Sequence, residues 1–327
     1  MAGNKGKASV DNGKALSYIS KVGPAVRANN GITGEWVNDG PSGAAETMVN
    51  ESPPVIELRD VYKVFVSGDK DDLKAFVALK QADFTVPEGE FLTIVGPSGC
   101  GKSTVLNLVS GLIQPTSGCI LYKGKEVQGI NTKIGYVTQD DNLLPWRTVL
   151  KNVEFSLEVR NVPKKERRER ALEHIRRVGL EGFEKHYPHE LSGGMRKRLS
   201  IARTLVYEPD VVLMDEPFGP LDAQTRLVLQ DQLLKIWSSG HQTVIFITHD
   251  LMESIALSNR VMAMSRAPGR IKNVYPVAIP HPRDVFHIHE VKGFSEIYDQ
   301  LWQDIREEIL AQRWSEDQKE NARESLE

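Results

Sequence analysis

Residues Gly96–Thr104 have the types and spacing of a phosphate-binding loop. They read Gly-Pro-Ser-Gly-Cys-Gly-Lys-Ser-Thr and fit the pattern G-x-x-x-x-G-K-[ST]. Glycines let a backbone wrap closely around a phosphate, and the N–H groups at a helix start attract the same anion. The Lys102 ammonium suits the outer phosphates, and the Ser103 hydroxyl suits Mg²⁺. The predicted nucleotide-binding residues are Gly96, Pro97, Ser98, Gly99, Cys100, Gly101, Lys102, Ser103 and Thr104.

Two carboxylates and a histidine follow two further apolar runs. Asp215 and Glu216 come directly after Val211–Met214, and His249 comes directly after Thr243–Thr248. Open α/β sheets bind ligands at the carboxyl ends of their strands, so we expect these side chains beside the phosphate loop. Asp215 suits the water shell of Mg²⁺, and Glu216 suits a base that orients water. A lone histidine at a strand tip is more often structural, but its acidic neighbours favour a role at the site.

Two other polar segments lie between these runs. Gln139 ends the apolar run Ile134–Thr138, and its amide can ligate a metal ion. Ser192, Gly193 and Gly194 begin a predicted helix, since serine is a good N-cap and glycines permit close approach of another group. Taken alone, this second segment predicts only a helix start.

Strands and a helix are predicted around the phosphate loop. Phe91–Val95 is a short apolar run typical of a buried strand, and a helix over Thr104–Val109 follows the loop. Strand formers dominate Val55–Leu58 and Val61–Phe65, and the sequence predicts a strand pair over Val77–Val86.

Phe65 is the predicted contact for an adenine ring. An aromatic side chain before the first turn can stack on a base through its apolar face, and Tyr62 is the second candidate. The alternative is that Phe65 belongs to the core of the sheet.

The later part of the chain contains three further predicted helices. Thr148–Val159 and Lys164–Val178 have helical patterns, and the dense charge of the second is interpreted as a solvated face. Glu290–Trp314 is amphipathic and is interpreted as a helix docked on the core, followed by a polar tail. His281 and two later histidines are interpreted as solvent-exposed, because no cysteine or second tight cluster accompanies them.

Composition and charge exclude some classes of protein. The chain has 327 residues, two cysteines and a formal net charge of -3, which argues against a general nucleic-acid binder. A disulfide at Cys100 would disrupt the phosphate loop, so a reducing compartment is expected. No uncharged apolar run is long enough to span a membrane, and no secretory signal is evident, so we expect a cytosolic protein.

Residues 1–54 lack a sustained hydrophobic period and are interpreted as a flexible N-terminal extension.

Six motifs taken together resemble those of one family. In chain order they are the phosphate loop, Gln139, Leu191–Gly194, Asp215-Glu216, Leu221-Asp222 and His249. Their order and approximate spacing, from Val55 to about Arg270, resemble the ATPase subunits of ABC transporters. Two further segments resemble the group of that family that imports nitrate, sulfonates or taurine: Leu143-Leu144-Pro145-Trp146 and Ala267-Pro268-Gly269-Arg270-Ile271.

The resemblance implies a fold and a division into domains. The expected fold is α/β, a P-loop NTPase with a RecA-like core, an antiparallel β-subdomain around residues 55–90 and a helical insertion at about 140–200. Residues 55–280 would form the ABC-type ATPase domain. Residues 281–327 would form a C-terminal extension with the amphipathic helix and the polar tail.

The resemblance also implies an ATP site shared between two chains. Two ATPase subunits, here expected to form a homodimer, would close head-to-tail on two ATP molecules. Each ATP would lie between the phosphate loop of one chain and, in trans, the residues Ser192, Gly193 and Gly194 of the other.

ATP and Mg²⁺ are the implied cofactors, and the motif residues have implied roles. Ser103 and Gln139 would ligate Mg²⁺, and Asp215 would hold its waters. Glu216 would polarise the attacking water, and His249 would contact the γ-phosphate. The implied catalytic residues are Glu216, His249, Gln139 and Lys102.

The implied function is ATP-driven import into a bacterium of a small anionic solute, such as nitrate, a sulfonate, taurine or bicarbonate. The region Gln139–Trp146 would contact membrane permease subunits at the cytoplasmic face of the inner membrane, and a periplasmic solute-binding protein would act indirectly. One alternative is a soluble ABC-type ATPase that acts on nucleic acid or ribosomes. Such proteins usually carry long coiled coils or two ATPase halves, and this sequence shows neither. The other is a non-hydrolysing regulatory module, against which Glu216 and His249 argue.

Overall fold

A computed structural model describes residues 54–68, 74–240 and 242–324, with only the backbone over 312–324. The predicted N-terminal extension therefore lies outside the described residues, apart from Pro54. Residues 64–68 and 74–76 belong to one compact unit, and residues 54–63 and 77–324 belong to a second. The phosphate loop and the acidic motif both lie in the second unit.

Ten strands and seven α-helices are seen in the described residues. The strands are β1 (Pro54–Ser67), β2 (Lys74–Pro87), β3 (Phe91–Val95), β4 (Ser117–Tyr122), β5 (Lys125–Glu126), β6 (Ile134–Val137), β7 (Val211–Asp215), β8 (Thr243–Ile247), β9 (Arg260–Met264) and β10 (Ile271–Pro276). The helices are α1 (Lys102–Val109), α2 (Val149–Glu158), α3 (Lys164–Arg177), α4 (Gly193–Leu205), α5 (Ala223–Gly240), α6 (Leu251–Leu257) and α7 (Phe294–Glu324).

The larger sheet has six strands in the order β10-β9-β3-β8-β7-β6. Five of them run parallel, and β10 pairs antiparallel with β9 at the edge. β3 and β8 are buried along their whole length, as expected of central parallel strands covered on both faces. Because parallel strands end at the same edge, the residues after β3, β7 and β8 meet there. The predicted α/β fold with a P-loop core is confirmed.

The smaller sheet has the order β2-β1-β4-β5, and its pairings of β4 with β1 and β5 are antiparallel. Two predictions about its strands are wrong. The two short strands predicted over Val55–Phe65 are one strand, β1, whose pairing with β4 shifts between Arg59 and Tyr62. The strand pair predicted over Val77–Val86 is the single strand β2. Asp60 and Gln81 have left-handed backbones, with φ of 46° and 55°, which interrupt the alternation along each strand.

Helices α2, α3 and α4 pack around their own apolar cluster, with Val153, Ile175 and Leu199 fully buried in it. The helices predicted over Thr148–Val159 and Lys164–Val178 are confirmed to within one residue at each end. Thr148 caps α2, because its hydroxyl accepts a hydrogen bond from the Lys151 N–H at 3.4 Å.

Helix α7 begins near its predicted start but continues to Glu324, through most of the predicted tail. Phe294, Leu301 and Ile305 on one face are buried in the core cluster, as expected of a docked helix. No helix in the described part of the chain combines the length and the apolar character needed to cross a membrane.

His281 is not solvent-exposed, which corrects its interpretation. It is half-buried against the Trp237 ring, with the centroids 4.9 Å apart, and neither ring nitrogen has a hydrogen-bond partner among the described residues. This burial lowers the pKa of His281 to about 4, so the imidazole is neutral at pH 7. Among the described residues, no group of three His, Cys, Asp or Glu side chains could hold a metal ion.

Candidate functional site

The phosphate loop leaves the buried strand β3 and leads directly into α1. Gly101 precedes the helix with a φ of 103°, and Gly99 has a φ of 74°, which side chains rarely adopt. A Cβ atom on Gly101 would also lie 2.9 Å from the carbonyl oxygen of Ala78 and 2.9 Å from a methyl carbon of Leu79. The glycine of the motif is therefore required both by the turn and by the close approach of β2.

Lys102 lies in the first turn of α1, and its ammonium turns back over the loop. It is 7% exposed, and Nζ donates hydrogen bonds to the carbonyl oxygens of Gly96 at 2.8 Å and Pro97 at 3.0 Å. An ammonium has three N–H donors, so one remains for a phosphate oxygen. The same group can therefore shape the loop and bind an anion within it.

Ser103 and Asp215, two of the three residues predicted to hold the metal ion, are brought together. Asp215 ends β7, where burial raises its pKa, and a hydrogen bond from the Ser103 hydroxyl acts in the opposite direction. The negative charge of Glu216 raises the same pKa, while Lys102 and Tyr136 lower it. Hydroxyl and carboxylate oxygens are ligands that Mg²⁺ prefers, so these two residues fit the ion.

Glu216 and His249 face each other from the ends of β7 and β8. Glu216 Oε2 lies 3.5 Å from His249 Nδ1, and the His249 side chain is 63% exposed. The backbone of Glu216 has a φ of 42° and is fixed by a hydrogen bond from its N–H to the Ile247 carbonyl oxygen at 3.0 Å. A non-glycine residue in this left-handed region is costly and is often found where a side chain must be aimed.

Gln139 follows β6 and is exposed, and its backbone is held by a residue that we did not identify from the sequence. Lys197 of α4 is buried, and Nζ donates to the carbonyl oxygens of Gln139 at 2.8 Å and Thr138 at 3.2 Å. It also pairs with the Asp141 carboxylate at 3.0 Å. Arg203 of the same helix donates to the Asp141 carbonyl oxygen at 3.0 Å. Helix α4 thus fixes the loop that follows Gln139.

Ser192–Gly194 form the beginning of α4, as predicted. The Ser192 hydroxyl accepts a hydrogen bond from the Met195 N–H at 3.3 Å, which makes it the N-cap. A Cβ atom on Gly194 would lie 2.6 Å from the Thr225 methyl carbon, so glycine is needed against α5. In the described part of the chain, no hydrogen bond or ion pair joins this segment to the phosphate loop.

Phe65 and Cys100, two other predicted nucleotide contacts, differ from each other in burial. Phe65 lies in β1, within the first compact unit, and its side chain is exposed rather than part of a sheet core. Cys100 is completely buried behind the phosphate loop, and this burial raises the pKa of its thiol. Cys100 can therefore contribute backbone groups to the loop, while its side chain belongs to the core.

Glu253 is hydrogen-bonded to Thr248, the residue before His249. We did not predict this role from the sequence. This buried carboxylate of α6 accepts hydrogen bonds from the Thr248 hydroxyl and from Gln230 Nε2, the second at 2.8 Å. Burial raises the pKa of Glu253 to about 7, against the lowering effect of those two hydrogen bonds. The carboxyl group therefore titrates near neutral pH.

We expect Glu253→Gln to stabilise the protein above pH 7. Between pH 4.5 and about 7, the folded state holds more protons at Glu253 than the unfolded state, so stability is lost as the pH rises through this window. The full loss is on the order of 3 kcal/mol. Glutamine does not ionise, so the difference in free energy of unfolding between variant and wild type should grow in favour of the variant from pH 5 to pH 8.

Denaturant unfolding at a series of pH values measures this difference. Glu169→Gln removes an exposed carboxylate of α3 and is the matched control, and its stability difference should change less with pH than that of Glu253→Gln. A pH-independent difference for Glu253→Gln would show that this carboxyl group is ionised throughout the range.

Known proteins resemble this chain across most of the region described above. A family model described as ABC transporter matches residues 79–219. An uncharacterized ABC transporter ATP-binding protein of Methanocaldococcus jannaschii is 49% identical over 233 residues, which are 71% of this chain and 86% of that relative. The aliphatic sulfonates import ATP-binding protein SsuB of Bacillus licheniformis is 44% identical over 205 residues, 63% of this chain and 79% of that relative.

A solved structure gives the same result. The dimeric post-hydrolysis state of the ATP-binding cassette MJ0796, bound to ADP and Pi, is 33% identical, with a TM-score of 0.61. The match covers 69% of this chain and all of that one. Agreement in motif order, fold and sequence over most of these relatives shows that the chain belongs to the ABC transporter family and is an ATP-hydrolysing subunit of that kind.

Proposed function

We propose that this ATPase energises the import of a small anionic solute, such as nitrate, a sulfonate, taurine or bicarbonate. The observation that carries the proposal is the resemblance of Leu143–Trp146 and Ala267–Ile271 to the corresponding importer group, together with relatives named as aliphatic sulfonate importers. The chain would be peripheral, at the cytoplasmic face of a bacterial inner membrane. Residues 55–280 would form the ATPase domain between the two extensions.

The geometry supports a mechanism that depends on positioning ATP and on stabilising the charge of its phosphates. Lys102 and the N–H groups at the start of α1 would bind the β- and γ-phosphates of ATP. Ser103 and Gln139 would hold Mg²⁺, with Asp215 oriented toward its waters, and the ion would neutralise phosphate charge when bound. Glu216 would orient the attacking water and accept its proton, while His249, 3.5 Å away, would contact the γ-phosphate.

Two copies of the chain would be needed for a complete site. Ser192–Gly194 would contact the γ-phosphate bound to the partner's phosphate loop, as the hydroxyl and N–H groups of a helix start can. This proposal is supported by the dimeric cassette with ADP and Pi to which the chain is similar. It agrees with the absence of hydrogen bonds between the two segments within the described residues of one chain.

Reconstitution tests the proposed transport. The chain would be combined in liposomes with its proposed partners, a permease and a solute-binding protein of the importer group, and ATP hydrolysis would be measured with nitrate, taurine, an alkanesulfonate or bicarbonate. We expect one of these anions to stimulate hydrolysis. Stimulation by ribosomes or nucleic acid instead, with no response to any anion, would favour the soluble alternative.

Trp146 is the predicted permease contact. Its side chain is 72% exposed, and the loop before it is fixed because Asn152 bonds to both the N–H and the carbonyl group of Leu144, at 2.9 and 3.1 Å. Exposed large apolar side chains on a rigid support often mark interfaces. We expect Trp146→Ala to retain the ATPase activity of the isolated subunit and to weaken co-purification with the permease by about tenfold or more.

Trp302→Ala provides a matched control for this experiment. Trp302 lies on α7 and is 46% exposed, so its removal changes apolar surface far from the Gln139–Trp146 region in sequence. The control should co-purify with the permease like the wild type. Equal weakening by both substitutions, or loss of ATPase activity in Trp146→Ala, would assign Trp146 a role other than docking.

A further inference from the structure

The turn between β9 and β10 lies directly against the backbone of the phosphate loop. Within this turn, the Gly269 N–H donates to the Ala78 carbonyl oxygen at 3.0 Å, and the Lys80 N–H donates to the Gly269 carbonyl oxygen at 2.9 Å. A Cβ atom on Gly269 would lie 1.9 Å from the carbonyl oxygen of Cys100. No side chain can fit there, so the backbone of Gly269 packs directly against the backbone of the phosphate loop.

Helix α7 is hydrogen-bonded to the same turn. Glu308 Oε2 accepts a hydrogen bond from the Arg266 N–H at 2.9 Å, and the Arg266 guanidinium donates to the Ala311 carbonyl oxygen at 2.6 Å. Lys272, just after the turn, pairs with Glu307 at 2.7 Å and with Glu308 at 3.4 Å. The C-terminal helix is therefore bound to both ends of the segment that carries Gly269.

The two adjacent carboxylates of α7 differ in their surroundings. The Glu308 side chain is 16% exposed and is the one that bonds to the turn backbone. The Glu307 side chain is 66% exposed and, among the described residues, bonds only to Lys272. Glu308 is also near the phosphate loop. Burial is the main cause that raises the pKa of the Cys100 thiol, and the charge of Glu308 adds to it, against the effect of Lys102.

We propose that Glu308 is a positioning residue for nucleotide binding, which acts through Arg266 and Gly269 on the backbone of the phosphate loop. In the described part of the chain, no hydrogen bond or ion pair joins Glu308 to the loop or to a group assigned to the phosphates. Its hydrogen bond fixes the turn, and the turn limits how far Cys100 and its neighbours can move from the shape that binds an anion. The inference rests on the proposed role of Gly96–Thr104 as the ATP site.

Nucleotide affinity of the full chain tests the proposal without requiring a dimer or a permease. The probe is a fluorescent ATP analogue with Mg²⁺, titrated into wild type, Glu308→Ala and the control Glu307→Ala. We expect Glu308→Ala to raise the Kd about tenfold, the size of one lost charge-assisted hydrogen bond, and Glu307→Ala to stay within about twofold of wild type. The KM for ATP should rise in parallel, with kcat at saturating ATP nearly unchanged.

Two further variants separate positioning from simple stabilisation. Glu308→Gln keeps an oxygen that can accept the Arg266 N–H, so it should recover most of the affinity. Gly269→Ala places a methyl group against the backbone of the phosphate loop and should raise the Kd at least as much as Glu308→Ala. It provides a second test of the proposal if Glu308→Ala folds poorly. A Glu308→Ala variant with a lower melting temperature and an unchanged Kd would overturn the proposal.

Lys102→Ala distinguishes this inference from the proposed ATP site. Weaker binding in Lys102→Ala together with unchanged binding in Glu308→Ala and Gly269→Ala would refute the positioning role alone. Unchanged binding in Lys102→Ala would place the nucleotide elsewhere and would overturn both.

Discussion

Glu216→Gln is expected to reduce ATP hydrolysis by about 10²–10⁴-fold, the usual contribution of a positioned general base, while ATP still binds. Glutamine has the same shape and can adopt the same left-handed backbone, but it cannot accept the proton of the attacking water. Lys102 and the start of α1, which we expect to hold the phosphates, are unchanged. Phosphate release measures hydrolysis, and equilibrium binding of ATP measures retention of the nucleotide.

A trapped complex provides an independent readout. If hydrolysis is blocked and ATP remains bound, two Glu216→Gln subunits should stay together on ATP and elute as a dimer in gel filtration. The melting temperature without nucleotide should match that of the wild type, since the strained φ of 42° is common to both. Retained hydrolysis in a folded variant would assign the base to another residue, and His249, 3.5 Å from Glu216, is a candidate.

Mixing two inactive variants is expected to restore ATP hydrolysis. Lys102→Ala removes a charge from the phosphate loop, and Ser192→Arg blocks the facing helix start. Losing one such contact in the transition state costs roughly 3–4 kcal/mol, so each variant alone should be nearly inactive. In a mixed dimer with sites shared between chains, one site carries both lesions and the other carries neither. Activity should therefore return, up to about half per mixed dimer if the sites act independently.

A site shared between two chains and a site built within one chain would give opposite results in this experiment. If Lys102 and Ser192 of one chain served the same ATP, every site in the mixture would carry one lesion and activity would stay at the level of the separate variants. Mixed dimers must be verified by differential tagging. ATP occupancy must also be measured, because strict cooperativity between sites would keep a mixed dimer inactive even though one of its sites is intact.

The chemistry of the site was readable from the sequence because it depends on residue types at short, fixed spacings. The phosphate loop needs glycines where the backbone turns, a lysine and a hydroxyl at the helix start, and a buried strand before them, all within about fifteen residues. Asp215-Glu216 and His249 follow apolar strands, and the carboxyl ends of parallel strands meet at one edge of a sheet. These local patterns predict the phosphate-binding chemistry, and the α/β fold and the ATPase activity follow from the family resemblance that the motifs carry together.

The supports of the site depend on contacts between residues that are far apart in the chain. Lys197 holds the backbone at Gln139 across 58 positions, and Glu308 holds Arg266 across 42. Neither spacing belongs to the period of a helix or a strand. From the sequence, Lys197 and Glu308 could therefore not be distinguished from charged residues exposed to solvent. Similarly, the sequence shows Gly269 only as part of the segment Ala267–Ile271, and only packing shows that it lies against Cys100.

Local patterns also failed where a tertiary pairing overrides them. β1 and β2 each contain one left-handed residue, Asp60 and Gln81, at which the alternation breaks and a strand end or a turn is expected. Cross-strand hydrogen bonds continue along β1 past Asp60, because pairing with β4 resumes after the shift in register. Sequence by itself therefore determined the phosphate chemistry and the class of fold, since these rest on neighbouring residues. Tertiary structure alone decided which distant charges and glycines hold the site in shape, since that depends on how the sheets and helices pack.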